Sequence, residues 1–259
     1  MPNQEIDLRN ELIPPPEVVM DGSSSIASYI SVGKHFRKIF EQCLPLRPDL
    51  KVLEMGSAAG RVSRQFVNIL SSRGEFTGID IMPAPVEWCN RAIGARFPNF
   101  RFIHADIYNT EYNPTGKIKA SAYTFPFEEN SLDLVVLTSV FTHMLRLDVA
   151  RYLVEIGRVL KPGGYCLATF FLFAREELAR ICSDESATRF SFPVYKAGGF
   201  PLVVSGGSDS IEEAVAYESK YATGLFVQSG LNIQKILPGN WLKSRENTTS
   251  FQDVVIAVK

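Results

Sequence analysis

Val52-Leu53-Glu54-Met55-Gly56-Ser57-Ala58-Ala59-Gly60-Arg61 is the stretch on which the reading of this chain turns. A short apolar run from Lys51 to Met55 has the length and composition of a buried strand. It breaks into a turn from Gly56 to Gly60, and a helix is predicted from Arg61 to about Ser71. Glycines at a strand-to-helix turn let the backbone approach a ligand that a Cβ would block. The dinucleotide fingerprint asks for Gly-x-Gly-x-x-Gly. Here the spacing is Gly56-x-Ala58-x-Gly60, with an acid two residues before the first glycine. An acid there repels a pyrophosphate and suits a cationic ligand.

Working outward, Glu54 is followed at equal intervals of 26 residues by Asp80 and Asp106. Each acid lies in or beside a short apolar run, with room for one helix between runs. Strand-helix-strand repeats of this kind need a parallel sheet with helical crossovers, and ligands of such sheets bind at the carboxyl ends of the strands. Strands are predicted at about 51–55, 75–79, 101–105, 132–137, 165–170, 231–237 and 251–258. Helices are predicted at 26–43, behind a Ser23–Ser25 cap, and at 84–95, 147–159 and 217–229. Lys161-Pro162-Gly163-Gly164 reads as the tight link from helix to strand. The last two strands have no helix between them and should pair as an antiparallel hairpin. The expectation is an α/β fold, a Rossmann-like, seven-stranded, mostly parallel sheet with a C-terminal antiparallel hairpin and helices on both faces.

Hydrophobic residues make up 46% and charged residues 21%, with a net charge of -1. That composition fits a globular domain and offers no broad basic excess for nucleic acid. The four cysteines are scattered with no CxxC pair, which fits a reducing compartment. Cys and His spacing suggests no metal site. No run of 18 apolar residues and no signal-peptide layout is present, so we expect no membrane span and a cytoplasmic protein. Residues 1–45 are expected to form an arm and a covering helix, and residues 46–259 the main domain.

A bound S-adenosylmethionine, positively charged and without phosphate, suits this pattern. The motifs V-L-E-x-G-x-x-x-G, G-I-D, H-A-D and R-V-L-K-P-G-G-Y occur in order over residues 51–170. In this the chain resembles the class I S-adenosylmethionine-dependent methyltransferases. The resemblance implies that Glu54, Gly56, Ser57 and Gly60 hold the methionyl part of the cofactor. It implies that Asp80 accepts from the ribose hydroxyls while Ile81 flanks the adenine. Asp106 and Ile107 would contact the adenine, and Thr138 and Ser139 would form the floor near the sulfonium. One departure is Ala58, where the family commonly has glycine.

Among the candidate site residues His143, in Ser139-Val-Phe-Thr-His143, follows the fourth strand at the ligand end of the sheet. Its ordinary pKa suits a general base for a hydroxyl acceptor; the competing reading is a packed histidine at a helix start. His104 reads as a core or sheet-face residue. Trp241 could line an acceptor pocket or cover core. Loop 107–130, with Tyr108, Tyr112 and Tyr123, and insert 183–216, with Phe190, Phe192 and Tyr195, are the expected acceptor-binding parts. Aromatic and polar, they suit a small-molecule acceptor such as a sugar or secondary metabolite. The alternatives are an RNA methyltransferase, for which Lys117, Lys119, Lys243 and Arg245 are a thin basic set, and a non-catalytic cofactor-binding module. A nicotinamide oxidoreductase is disfavoured by the glycine spacing and Glu54. Oligomeric state is not encoded in any motif.

Overall fold

The computed structural model describes residues 8–20, 22–183, 187–189, 194–195, 203–204 and 212–259. Phe190, Phe192, Gly198-Gly199 and Gly206-Gly207, and the side chain of Tyr195, lie outside the described residues. The chain folds as two compact units, Met1–Ala105 and Asp106–Lys259.

In the first unit α1 (Ile26–Cys43) begins where Ser25 Oγ accepts from Ser28 N, as the serine cluster suggested. Strands β1 (Lys51–Met55), β2 (Glu75–Asp80) and β3 (Phe100–His104) pair in parallel. Side chains from α1, the segment after β1, β2 and β3 meet in an aromatic file: Phe36, Phe40, Phe66, Phe76 and Phe100 follow one another at centroid distances of 6.2, 5.4, 5.3 and 5.1 Å. The helix expected over 61–71 is a single turn, α2 (Ser63–Phe66). Its polar side chains are buried and bond locally, Ser63 to Glu54 and Gln65 to the Arg61 carbonyl, which competes with a regular helical ladder. The next helix starts as α3 (Pro83–Cys89) and widens into a π-helical turn over Asn90–Gly94. There the Asn90 side chain bonds both the N–H and the C=O of Phe102 on β3, and such insertions accompany π-turns.

The second unit opens with a small parallel pair, β4 (Ile107–Tyr108) and β5 (Ile118–Lys119), inside the segment read as a loop. Next come β6 (Leu132–Leu137), α4 (Arg146–Val159) and β7 (Leu160–Phe173). The Lys-Pro-Gly-Gly segment is not a separate link but a bulge within β7. The register against β6 jumps from Leu132↔Leu160 to Leu134↔Tyr165, and Gly163 sits at φ +79°. After α5 (Leu178–Ser183), β8 (Val194–Tyr195) and β9 (Val203–Val204) form a pair. Strand β10 (Ala216–Glu218) lies parallel to the end of β7, so α6 starts at Ser219 and runs to Gln228 rather than from Tyr217. Strands β11 (Asn232–Leu237) and β12 (Asp253–Val258) form the expected antiparallel hairpin, with β12 against β7. The seven expected strands are β1, β2, β3, β6, β7, β11 and β12, which places the chain in the mostly parallel α/β class with antiparallel strands at the C-terminal end.

The 123–127 segment is fixed to α4 by charge. Glu155, buried, accepts from Phe125 N at 2.8 Å and Arg158 Nη2 at 2.6 Å, while Arg158 also donates to the Phe125 and Phe127 carbonyls. Asp253, 1% exposed, accepts from Leu172 N, Gly239 N, Trp241 Nε1 and Arg245 Nη1. Trp241 is thereby a core residue, packed with Phe171, Phe173 and Leu242, and not a pocket wall. Among the described residues no helix is long and apolar enough to cross a membrane.

Candidate functional site

In the first unit the end of β1, the glycine turn and the end of β2 converge. Glu54 is 1% exposed and accepts from Ser63 Oγ at 2.5 Å. Burial pushes its pKa up to about 8, against the pull of the Ser63 hydrogen bond and the Arg61 charge. Asp80 is also buried: its Oδ2 accepts from Ala58 N at 2.7 Å and its Oδ1 from Met82 N at 2.9 Å. Burial raises its pKa, and those backbone donors oppose the rise. Asp80 therefore does cap the chain that follows, as its position before Ile-Met-Pro allowed. Each carboxylate oxygen has a second lone pair for another donor.

The turn is made of left-handed residues. Gly56 lies at φ +74°, Ala58 at +40° and Gly60 at +78°. Gly60 is glycine for internal reasons: a Cβ there would meet Ile93 Cδ1 at 2.9 Å and Cys89 Sγ at 3.2 Å. Gly56 N and Ser57 N both donate to the Ile79 carbonyl. Ser57 Oγ is buried with no hydrogen-bond partner, and an orphan hydroxyl of this kind needs explaining. Ile81 is half-buried and its carbonyl lies 3.1 Å from Nε2 of His104, which is exposed rather than packed in the core.

The covering segment reaches this turn directly. Tyr29 Oη on α1 donates to the Ala59 carbonyl at 2.8 Å, Arg61 donates to Ser23 Oγ, and Arg37 donates to the Gln65 carbonyl.

In the second unit Asp106 is half-buried, and its backbone carbonyl accepts from Lys117 N and Ile118 N. Ile107 is buried at the start of β4. Thr138 and Ser139 follow β6, and Ser139 sits at φ +60°, a conformation rare for a residue with a side chain. A polar network holds it. Ser139 N donates to Thr169 Oγ1 at 2.7 Å, and the Ser139 and Thr169 hydroxyls both donate to Gln252 Oε1. Strain confined in this way is common at functional positions. Thr169 and Gln252 were missed from sequence because nothing in their own neighbourhoods marks them; they matter through register alone.

His143 ends a short 3-10 turn, Phe141–His143. Its Nδ1 lies 3.1 Å from the Glu212 carbonyl, and Asn109 Nδ2 donates to the His143 carbonyl at 3.2 Å. The Tyr112 ring meets it edge-on at 5.2 Å. Burial pushes its pKa below the ordinary histidine value, against the charges of Glu111 and Glu212. Tyr123 packs on Phe125 and Tyr152 and is structural.

A sequence profile of the methyltransferase domain matches residues 53–168. Ubiquinone/menaquinone biosynthesis C-methyltransferase UbiE of Shewanella sp. (strain ANA-3) is 27% identical over 166 residues, 64% of this chain and 58% of that protein. The enzyme of the same name from Wigglesworthia glossinidia brevipalpis is 26% identical over 146 residues, 55% of this chain and 52% of its own length. The chain thus spans little more than half the length of these relatives. A structure from Pyrococcus horikoshii OT3 superposes with a TM-score of 0.61 at 17% identity, covering 92% of this chain and 93% of that one. A SAM-dependent methyltransferase from Aquifex aeolicus gives 0.52 at 13% identity, covering 96% and 95%. These two likenesses speak to the fold alone. Over residues 53–168 the chain is similar to a methyltransferase domain, in line with the resemblance its motifs carry to the class I S-adenosylmethionine-dependent methyltransferases. S-adenosylmethionine is the cofactor that this likeness implies, and a buried Glu54 with a raised pKa, with an orphan Ser57 hydroxyl in the same turn, fits a group that brings a positive charge and hydrogen-bonding atoms.

Proposed function

We propose that this chain transfers a methyl group to a small acceptor carrying an ionisable hydroxyl, with His143 as the base. The supporting observation is a half-buried imidazole whose pKa lies below the ordinary value, so that it is an unprotonated acceptor at neutral pH. Bound S-adenosylmethionine supplies a methyl already activated on a sulfonium. Glu54 would hold its ammonium as a carboxylate, Asp80 would accept from the ribose, and Asp106 with Ile107 would meet the adenine. Ser139, locked by Thr169 and Gln252, forms a rigid floor. His143 would take the proton from the acceptor hydroxyl and so ready it for the methyl. Alignment and exclusion of water supply most of the remaining rate. The arm, loop 107–130 and insert 183–216 choose the acceptor.

A sugar or secondary-metabolite hydroxyl would be methylated on oxygen. The C-methyltransferase names of the relatives favour a second reading, a phenol whose ionised ring takes the methyl on the adjacent carbon. The test incubates the protein with methyl-labelled cofactor and a panel of sugars, flavonoid-like phenols and hydroxylated quinone precursors, followed by product mass and bond analysis. Transfer to a hydroxyl-bearing member that falls by about 100-fold or more in His143→Gln supports the base role. A panel member turned over equally well by the variant removes it.

A further inference from the structure

His143 is held by a closed circuit of hydrogen bonds that does more than pack it. A backbone carbonyl can only accept, so the 3.1 Å contact between His143 Nδ1 and the Glu212 carbonyl requires the hydrogen on Nδ1. In the neutral ring the other nitrogen, Nε2, is then the lone-pair acceptor. The carbonyl is itself held in place. The Glu212 carboxylate accepts from Thr110 N at 2.6 Å and from the Thr110 hydroxyl in a short bond. Thr110 follows Asn109, whose Oδ1 accepts from Glu111 N and Tyr112 N and whose Nδ2 donates back to the His143 carbonyl. The segment after Glu212 is pinned at a second point, where Val215 N donates to the Thr142 carbonyl at 2.8 Å. Glu212 is 8% exposed, so little water competes for these contacts.

We propose that Thr110 and Glu212 are positioning residues for His143, which clasp the 109–112 and 212–215 segments together and thereby fix the imidazole as its Nδ1–H tautomer with Nε2 as the proton acceptor. The arrangement differs from a carboxylate–histidine pair. A carboxylate on Nδ1 would stabilise the imidazolium and raise its pKa. Here the Glu212 carboxylate is engaged by Thr110 while its carbonyl meets the ring, so the imidazole is oriented with no carboxylate on Nδ1. The Glu213 backbone also hydrogen-bonds the ring, and Glu111 and Glu212 are the charged groups that act on it. The catalytic meaning of the clasp rests on His143 being the base; the tautomer itself does not.

The test is two-bond proton–nitrogen correlation NMR on the full-length protein with labelled histidine rings. The chain has only three histidines, His35, His104 and His143, so His143→Gln assigns the signals. Above its titration, wild-type His143 is expected to show a protonated Nδ1 and a bare Nε2. Glu212→Ala is expected to lose that single-tautomer pattern, with His35 and His104 unchanged. Glu212→Gln keeps an oxygen for Thr110 to donate to and is expected to restore it. Thr110→Val, a milder change should Glu212→Ala fold poorly, is expected to lose it in part. A wild-type Nε2–H tautomer, or a wild-type pattern retained in both Glu212→Ala and Thr110→Val, overturns the proposal. Because the readout is the ring and not methyl transfer, a failed base role in His143→Gln kinetics is recognised separately.

Discussion

Cofactor binding should expel a proton from Glu54. In the empty site burial holds this carboxyl up to about 8, so at pH 7 it is about 90% protonated. An ammonium arriving beside it favours the carboxylate. Binding at pH 7 should therefore release roughly 0.9 proton per site, falling to about half a proton at pH 8. The ligand's own α-amino group, ordinarily near 7.7–8.0, takes up about 0.1 proton at pH 7 and about half a proton at pH 8 in the opposite direction, so the net release is about 0.8 at pH 7 and close to zero at pH 8. Below pH 7 each unit of acidification should weaken apparent affinity by about tenfold, because only the deprotonated fraction binds without a further cost. Calorimetric titration in buffers of different ionisation enthalpy measures the release directly, as the slope of observed heat against buffer heat. Glu54→Gln should abolish the slope and weaken binding. Saturable binding with no buffer dependence at pH 7 would refute the reasoning, since Glu54 would then be ionised already or out of reach of the cation. The same shift has a sign in stability. The folded carboxyl keeps a proton that the unfolded chain releases, so the cofactor-free protein should lose stability as pH rises from about 4.3 towards 8.

Ala58→Gly should relieve the left-handed backbone at φ +40° and raise the urea midpoint by an amount equivalent to roughly 1 kcal/mol; a lowered midpoint would argue against strain there. Asp253→Ala strips the acceptor from four donors, including Trp241 and Arg245, and should cost about 3–5 kcal/mol in chemical denaturation, with a loss below 1 kcal/mol contradicting its role as a hub. Glu155→Ala should cost roughly 2–3 kcal/mol at pH 7. Burial works to raise the Glu155 pKa, but the Arg158 and Phe125 hydrogen bonds and the Arg158 and Arg151 charges outweigh it and leave it lowered. Its contribution is thus complete above the ordinary glutamate pKa and vanishes as pH falls through the folded value, so the gap between wild type and variant should narrow below about pH 4.

Period and punctuation made the core of the fold legible in the chain. β6, at Leu132–Leu137, and α1, at Ile26–Cys43, fall where the apolar run and the serine cap put them. Errors arose where a tertiary contact overrode a local preference. Buried polar side chains cut the helix after Gly60 to one turn, and Tyr217 left helix α6 to pair with β7 and donate to the Met144 carbonyl. The motif residues proposed for the cofactor stand out in the chain because acids and glycines recur at fixed offsets from strand ends. Thr110, Thr169, Glu212 and Gln252 could not, because they meet their partners over separations of 30 to 113 residues. Gly60 has a packing reason that the motif does not show, since a Cβ there would meet Ile93 and Cys89.

The Tyr29 hydroxyl on the Ala59 carbonyl ties the glycine turn to an 18-residue helix. A turn of left-handed residues has little cooperativity of its own; joined to α1 it opens only when the helix end loosens too. Amide exchange at Ala59 and Gly60 should therefore keep pace with the middle of α1 rather than with surface loops. Substitutions along that helix, remote from any ligand atom, would then alter how long the turn stays shut and so the residence time of what it holds.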